Sequence, residues 1–342
     1  MKVSCAFAPS PQTPELVATA EELGYAAAWC NDSPALYSDV WMTLGLCAAR
    51  TTSIGLGVAV SVPSLRHVMT TASSITTLDR LAPARVSVAF GTGLTGRLTL
   101  GQSPMGWAEV EAYVVAVRAL LDGAEIEWDG SRIRMLHDET RRAHDDGGVE
   151  LYVAADGPRG IGIATRLGRS VLSTGRLHEA TRALDHRALL TFGTVLREGE
   201  TEESPRVRAA AGPAVAAALH ALARRDHVLG RLPGGTGYAA AVDALEPTTR
   251  HLTVHEGHLE RLNQVDENAW PEASALIRKF TITGSVEQVM ARAATYEESG
   301  VTELIYQPAG PDLLGELSDM ADALGLGARA DCHPAAMGPD PL

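Results

Sequence analysis

The 342-residue chain has only four cysteines, Cys5, Cys30, Cys47 and Cys332, and no two of them stand in a C-x-x-C pair. That scatter implies neither a disulfide framework nor a zinc ribbon, and its natural setting is a reducing cytoplasm. Positive charge is also scarce: 29 Lys and Arg against 42 Asp and Glu give a formal net charge of −13. A surface of that sign repels nucleic acid and anionic membranes, so neither is expected as a partner. No run of like charge is long enough for an interaction tail. No apolar stretch approaches the roughly 18 residues needed to cross a bilayer. The amino terminus offers one Lys and a short apolar stretch before Pro9 and Pro11, too little for a signal peptide. G-x-S-x-G, the Walker loop and C-x-x-C-H are all missing, which disfavours nucleophilic hydrolysis, nucleotide hydrolysis and covalent haem. What remains is a chain with 45% hydrophobic residues, ample for a core, and long enough for one large α/β barrel or two smaller domains.

Apolar runs and helical stretches alternate from the first residue. Val3 to Ala8 is strand-like. In the "TPELVATAEELGY" that follows, Thr13 is placed to cap a helix, with Pro14 at its first position and Glu15 in its first turn. Ala26 to Cys30, Ile54 to Val60 and Val86 to Phe90 are further strands. The last two do not alternate polar with apolar, as expected of a parallel sheet covered on both faces. Asp129-Gly130, flanked by strand-like residues, predicts a hairpin. Leu151 to Ala154, Ser170 to Ser173, Leu189 to Leu196 and Glu303 to Gln307 continue the series, and Ser285 with Gln288 forms a capping box. About eight strands alternating with helices predict an α/β fold of the (β/α)8 TIM barrel type, a single domain over 1–326. The Ala-rich stretch 201–272 breaks the rhythm. It is expected to be a helical insertion before the last strand, either capping the barrel mouth or purely structural. Residues 327–342 are expected to form a loose tail.

Three motifs carry candidate chemistry. "GTGLTG" at Gly91 to Gly96 matches G-x-G-x-x-G, but Pro104 intervenes before the next helix and the acids Glu109 and Glu111 lie on that helix, against a dinucleotide fingerprint. The loop is either a tight turn whose bare backbone meets a flat ring or a phosphate, with Arg97 as an anion contact, or a structural turn. "AADGPRGIG" at Ala154 to Gly162 combines glycines, Pro158 and Arg159 at a helix start, which makes an anion site or an ordinary βα turn. In "HLTVHEGHLERL", His251, His255 and His258 fall at spacings of four and three, on one face of a helix. No acidic fourth ligand is placed beside them, so no metal is assigned; substrate contact, proton transfer and plain surface or core histidines remain open.

On Glu21 to Tyr25, Asn31-Asp32, the segment Thr51 to Gly96, the loop at Asp156 and the closing "TGSVEQV" and "EESGVTELIYQ", the chain resembles the luciferase-like oxidoreductases, and within them the branch that uses the deazaflavin coenzyme F420. The resemblance implies that Asp32 contacts the cofactor and that Ser61 and Val62 form a bulge with a non-prolyl cis peptide behind the ring. It further implies that Thr92 and Gly93 line the deazaflavin and that Asp156, Gly157, Arg159 and Gly160 surround its phosphate. FMN-using relatives often carry Arg between the two glycines of the loop where this chain has Thr92, so coenzyme F420 is the expected cofactor and FMN the alternative. The chain departs from the deazaflavin sugar-phosphate dehydrogenase at Ser33 and Leu94, where that relative keeps a His and a Glu; its acid–base pair is missing here.

The expectation is therefore an oxidoreductase that moves a hydride between coenzyme F420 and a small-molecule substrate. Reduction is favoured because no general base stands beside the ring. His255, Glu256 and His258 are the candidate proton donors. The rival readings are an FMN-dependent monooxygenase and a non-catalytic, cofactor-binding partner subunit. A cytoplasmic homodimer is expected from the resemblance.

Overall fold

The computed structural model describes residues 1–137, 148–168, 170–223 and 226–327; Cys332 and nearly all of the expected tail lie outside them. The strands are β1 (Lys2–Phe7), β2 (Ala27–Cys30), β3 (Gly55–Ser61), β4 (Val86–Phe90), β5 (Ile126–Trp128), β6 (Ser131–Ile133), β7 (Glu150–Ala154), β8 (Ser170–Thr174), β9 (His186–Phe192) and β10 (Glu303–Gln307). Eight of them close a barrel in the order β1-β10-β9-β8-β7-β4-β3-β2, and every pair in it is parallel. This is the (β/α)8 barrel expected from the sequence. The remaining pair, β5 and β6, is an antiparallel hairpin that turns at Asp129 (φ 50°) and Gly130 (φ 75°), where Asp-Gly predicts it.

The strands stand where the apolar runs lie because both of their faces are covered. One face meets the outer helices, in a core that includes Leu56, Val58, Val88 and Phe90. The other fills the barrel with Ala6, Trp29, Ala59, Ala89, Tyr152, Leu172, Ala188 and Ile305. Half of these are alanine, so two aromatics supply much of the bulk. Trp29 and Tyr152 meet edge to face at 5.4 Å, and the Trp29 indole N–H donates to Glu303 Oε1 at 2.9 Å. A β-carbon at Gly57 would overlap the Trp29 ring, so glycine in β3 is what admits the indole.

Local signals hold to within a residue or two. Ser285 caps Val286–Glu298 in a reciprocal box with Gln288. The first helix runs Thr13–Glu22 with Gln12 at the cap; Thr13, expected there, is its first residue, and its hydroxyl accepts from the Ser10 N–H at 2.9 Å. The non-prolyl cis peptide joins Ala59 and Val60, not Ser61 and Val62. The β-bulge is there too, because Ala59 and Ser61 pair with the consecutive residues Ala89 and Phe90 and leave Val60 unpaired.

Between β9 and β10 the chain forms Pro205–Leu222, Asp226–Leu229, Gly235–Asp243, Arg250–Val254 and Gln264–Ala273 among its helices. They share an apolar core of their own, around Val215, Leu219, Tyr238, Val265 and Ile277. Arg206 ties the first of these helices to the barrel: its guanidinium donates to Glu200, Glu316, the Thr194 hydroxyl at 2.8 Å and the Val195 carbonyl at 2.7 Å.

Two outcomes follow. Gly57→Ala should destabilise the barrel by about 1–3 kcal/mol through overpacking, and adding Trp29→Leu should recover part of that loss, so urea unfolding will show the two changes to be non-additive. The Arg206 guanidinium holds the Glu200 carboxyl down to about 2. A carboxyl depressed on folding adds stability above its unfolded pKa, and that contribution is lost as pH falls through about 2. Carboxyl ¹³C shifts should titrate there, and Arg206→Gln should return the midpoint towards the ordinary glutamate range.

Candidate active site at the barrel mouth

Because all barrel strands run one way, the loops after β2, β3, β4 and β7 emerge on one face, the carboxyl end, where such barrels place their chemistry. Asp32 follows β2. Its side chain is 1% exposed and its Oδ2 accepts from Arg66 Nη1 at 2.5 Å, while Arg66 Nη2 reaches Asp39 at 2.8 Å. Burial pushes the Asp32 carboxyl up, and Arg66 with Ser61 pulls against that. Arg66 carries no sequence signal of its own, since its meaning depends on Asp32 lying beside it.

The loop after β4 is built by close packing. Gly93 adopts φ 73°, and a β-carbon there would overlap Val62. One at Gly91 would come within 2.8 Å of Val60 Cγ1, and one at Gly96 within 3.3 Å of the Asp32 carbonyl. The glycines of "GTGLTG" thus let three loops interlock, a structural need that precedes any ligand. A short helix, Leu94–Leu98, opens inside the motif with Gly93 as its cap, earlier than Pro104 suggests. Thr92 accepts from the Met105 N–H at 2.9 Å. Arg97, expected to contact an anion, donates to Ser64 and to the Ser103 carbonyl, both at 2.5 Å, and so braces this loop against the one after β3.

After β7, Asp156 Oδ1 accepts from the Thr174 N–H at 2.7 Å and joins the β7 and β8 loops. Gly157 caps the helix Pro158–Leu167 with no side-chain partner, and the space where its β-carbon would stand is open. Arg159 is exposed in the first turn. Gly160 differs, since a β-carbon there would lie within 2.5 Å of Ala155 and the Trp107 ring. Its lack of side chain is a packing requirement.

The histidines do not share a helical face. The helix Arg250–Val254 ends at His255, and positive φ at Gly257 and Leu259 turns the chain back on itself. His251 instead packs at Gly101. Glu256 is exposed and paired with Arg261 at 3.0 Å, away from the other two. His255 and His258 are buried, 6% and 7% exposed, with ring centroids 5.8 Å apart. Their companion is His220 of Pro205–Leu222, which the sequence pattern did not single out: its Nδ1 lies 3.0 Å from His258 Nδ1 and its Nε2 2.8 Å from Asp266 Oδ1. The one available sign was a lone imidazole in an Ala-rich helix. His258 Nε2 lies 3.4 Å from the Thr95 hydroxyl, and the Tyr37 hydroxyl donates to the His258 carbonyl. The insertion therefore touches the loops after β2 and β4 at the mouth. Among the described residues no group of three or more His, Cys, Asp or Glu is arranged to hold a metal ion.

A closed parallel barrel whose mouth carries these loops defines an enzyme-type site. Residues 8–303 match the luciferase-like monooxygenase family, and the chain belongs to it. The chain is 30% identical over 159 residues to the 5,10-methylenetetrahydromethanopterin reductase of Methanolobus tindarius, a match that spans 45% of this chain and about half of that protein (47%). It is 23% identical over 337 residues to the reductase of the same name from Archaeoglobus fulgidus, covering 91% of this chain and 95% of that one. Among solved structures, the coenzyme F420 dependent tetrahydromethanopterin reductase of Methanopyrus kandleri superposes with a TM-score of 0.65 at 18% identity, over 95% of this chain and 99% of that one. A type II Baeyer–Villiger monooxygenase of Pseudomonas putida, in complex with FMN, gives 0.56 at 12%, over 95% and 96%. The chain is thus related to F420- or flavin-dependent oxidoreductases.

Removing Arg66 would leave the Asp32 carboxylate buried without its cation. Arg66→Ala should cost about 3–5 kcal/mol at neutral pH. The loss should shrink in acid, because a carboxyl whose pKa is raised on folding destabilises only once pH exceeds its unfolded value. Urea unfolding at pH 7 and pH 4 checks both the size and the sign.

Proposed function

We propose that this protein transfers a hydride between coenzyme F420 and a small organic substrate bound at the barrel mouth. The observation that carries the reading is the uncapped start of Pro158–Leu167. Gly157 leaves open space there, and Arg159 makes no ion pair among the described residues. First-turn N–H groups, the helix dipole and a guanidinium suit a phosphate, so these residues fit a phosphorylated cofactor. Asp156 holds the turn in place, and Asp32, Ser61, Val62, Thr92 and Gly93 stand at the ends of β2, β3 and β4, which follow β7 around the barrel. When bound, the deazaflavin supplies two-electron hydride chemistry; the protein binds, orients and manages the proton. Of the three residues expected to do the last, His258 is the one that meets a mouth residue, Thr95. His255 Nδ1 is engaged by the His251 carbonyl at 2.8 Å.

A phosphate site suits FMN equally. Coenzyme F420 is favoured by Thr92 and by the coenzyme F420 dependent reductase of Methanopyrus kandleri, matched over almost its full length. The FMN-dependent monooxygenase remains the second reading, supported by the family description and the FMN-bound relative of the same fold. A homodimer fits Met42 and Leu46, which expose 76% and 59% of their surface four residues apart on Val40–Ala48.

The test is parallel titration with oxidised coenzyme F420 and with FMN, followed by fluorescence. Saturable binding of the deazaflavin is expected, and Arg159→Ala should weaken it about ten- to hundredfold, the loss of one charge-assisted contact. FMN retained stoichiometrically through gel filtration, with no response to the deazaflavin, would replace this reading by the second.

A further inference from the structure

The insertion brings three polar side chains from three separate segments into one line. Asp266 Oδ2 accepts from the Asn263 N–H at 3.0 Å. Its Oδ1 faces His220 Nε2 at 2.8 Å, and the two side chains are 2% and 3% exposed. We propose that Asp266, His220, His258 and Thr95 form a proton-accepting chain into the barrel mouth, whose working end is an unprotonated His258 Nε2 and whose polarity is set by Asp266.

The polarity follows from donor and acceptor counting. A carboxylate only accepts, so His220 Nε2 carries a hydrogen. In a neutral His220 the other nitrogen, Nδ1, is then a bare acceptor. It stands 3.0 Å from His258 Nδ1, and two nitrogens that close share one hydrogen, which belongs to His258. His258 Nε2 is left with its lone pair, and the Thr95 hydroxyl at 3.4 Å donates to it. The groups that face His258 are His220, His255, Thr95 and the Tyr37 hydroxyl on its carbonyl; Asp266 reaches it through His220. Burial above all keeps the His258 imidazolium well below its ordinary range, so His258 itself rests neutral.

The proton step balances as follows. A ligand hydroxyl gives its proton to Thr95 Oγ1 as the Thr95 proton passes to His258 Nε2. The His258 Nδ1–H bond breaks and a His220 Nδ1–H bond forms, which places the positive charge on His220 against the Asp266 carboxylate. If the same ligand carbon releases a hydride to an oxidised deazaflavin, the C–O bond becomes a carbonyl and nothing is left over. The chain rests in the form that accepts a proton, so it serves oxidation of a hydroxyl-bearing substrate; reduction, the direction expected from sequence, starts from the charged form. Asp266 and His220 are positioning residues. This use of the chain rests on the function proposed above, while its tautomers do not.

The experiment is ¹H–¹⁵N correlation of the histidine rings in the full chain at neutral pH, without cofactor. The expected result is a protonated Nδ1 and bare Nε2 on His258, and a protonated Nε2 on His220. In Asp266→Asn the amide oxygen is needed at the Asn263 N–H, so its NH₂ faces His220 and inverts both tautomers. Alcohol oxidation with coenzyme F420 should then fall about 10²–10⁴-fold, with cofactor affinity by fluorescence unchanged. Thr95→Val should lower turnover comparably while the tautomers stay as in the parent. A protonated Nε2 on His258 in the parent, or unchanged tautomers in Asp266→Asn, would overturn the proposal; should that variant fail to fold, the parent spectrum decides alone. The expected tautomers in a protein that ignores coenzyme F420 would uphold the chain and overturn the function proposed above.

Discussion

Filling the closed barrel is the constraint on which the rest of the structure depends. Eight parallel strands leave an interior that must be packed at the density of any core, and here half of the buried inward residues are alanine. Trp29 supplies the missing volume. It fits because Gly57 on the neighbouring strand has no β-carbon, and its indole N–H is satisfied by Glu303 on β10, two strands away across β1. Tyr152 meets it edge to face, so β2, β3, β7 and β10 are coupled through one side chain. With the interior fixed, each strand ends at a defined height, and the loops that leave the barrel do so from a rigid rim.

At that rim the same logic of small residues recurs. Gly91, Gly93 and Gly96 let the loop after β4 nest against Val60, Val62 and the Asp32 backbone. Arg66 then neutralises the Asp32 carboxylate that this nesting buries. The two devices are linked: the closer the loops approach, the less water reaches Asp32 and the more it needs its cation. Gly157 is the contrast. Its missing side chain leaves open space where the others leave contact, so of the four glycine sites it is the one with room for something that is not protein.

The fold was legible because its signal is local and repeated. Uninterrupted apolar runs, a Pro near a helix start, Ser285 with Gln288 and Asp129-Gly130 each act within a few residues. All eight barrel strands overlap such runs, although β9 (His186–Phe192) begins and ends earlier than the expected Leu189 to Leu196. The site was only partly legible, because its key relations are not local. Asp32 was found by resemblance, but its partner Arg66 lies 34 positions on. The spacing of His251, His255 and His258 describes a helix that Gly257 cuts short. The imidazole that actually meets His258 is His220, 38 residues earlier. Periodicity can place a residue on a face of its own helix; it says nothing of which other helix that face will meet.

The insertion therefore contributes more than cover. The barrel rim carries Ser33 and Leu94, neither of which titrates near neutral pH, and the buried Asp32 carboxylate is already committed to Arg66. The insertion brings the imidazoles of His220 and His258 to the rim beside Thr95, on a scaffold with its own apolar core and its own tie to the barrel through Arg206. Such a division lets a barrel hold its rim constant while the proton chemistry varies with the inserted helices. It also locates the vulnerability of the arrangement: His258 sits on a turn held by the Asn263 amide, which donates to the Val254 carbonyl at 2.9 Å, and by Tyr37 from the rim. A shift of that turn by an ångström would separate His258 from Thr95, already 3.4 Å away, while leaving barrel, rim and the loop after β7 intact. Proton transfer would fail before binding did.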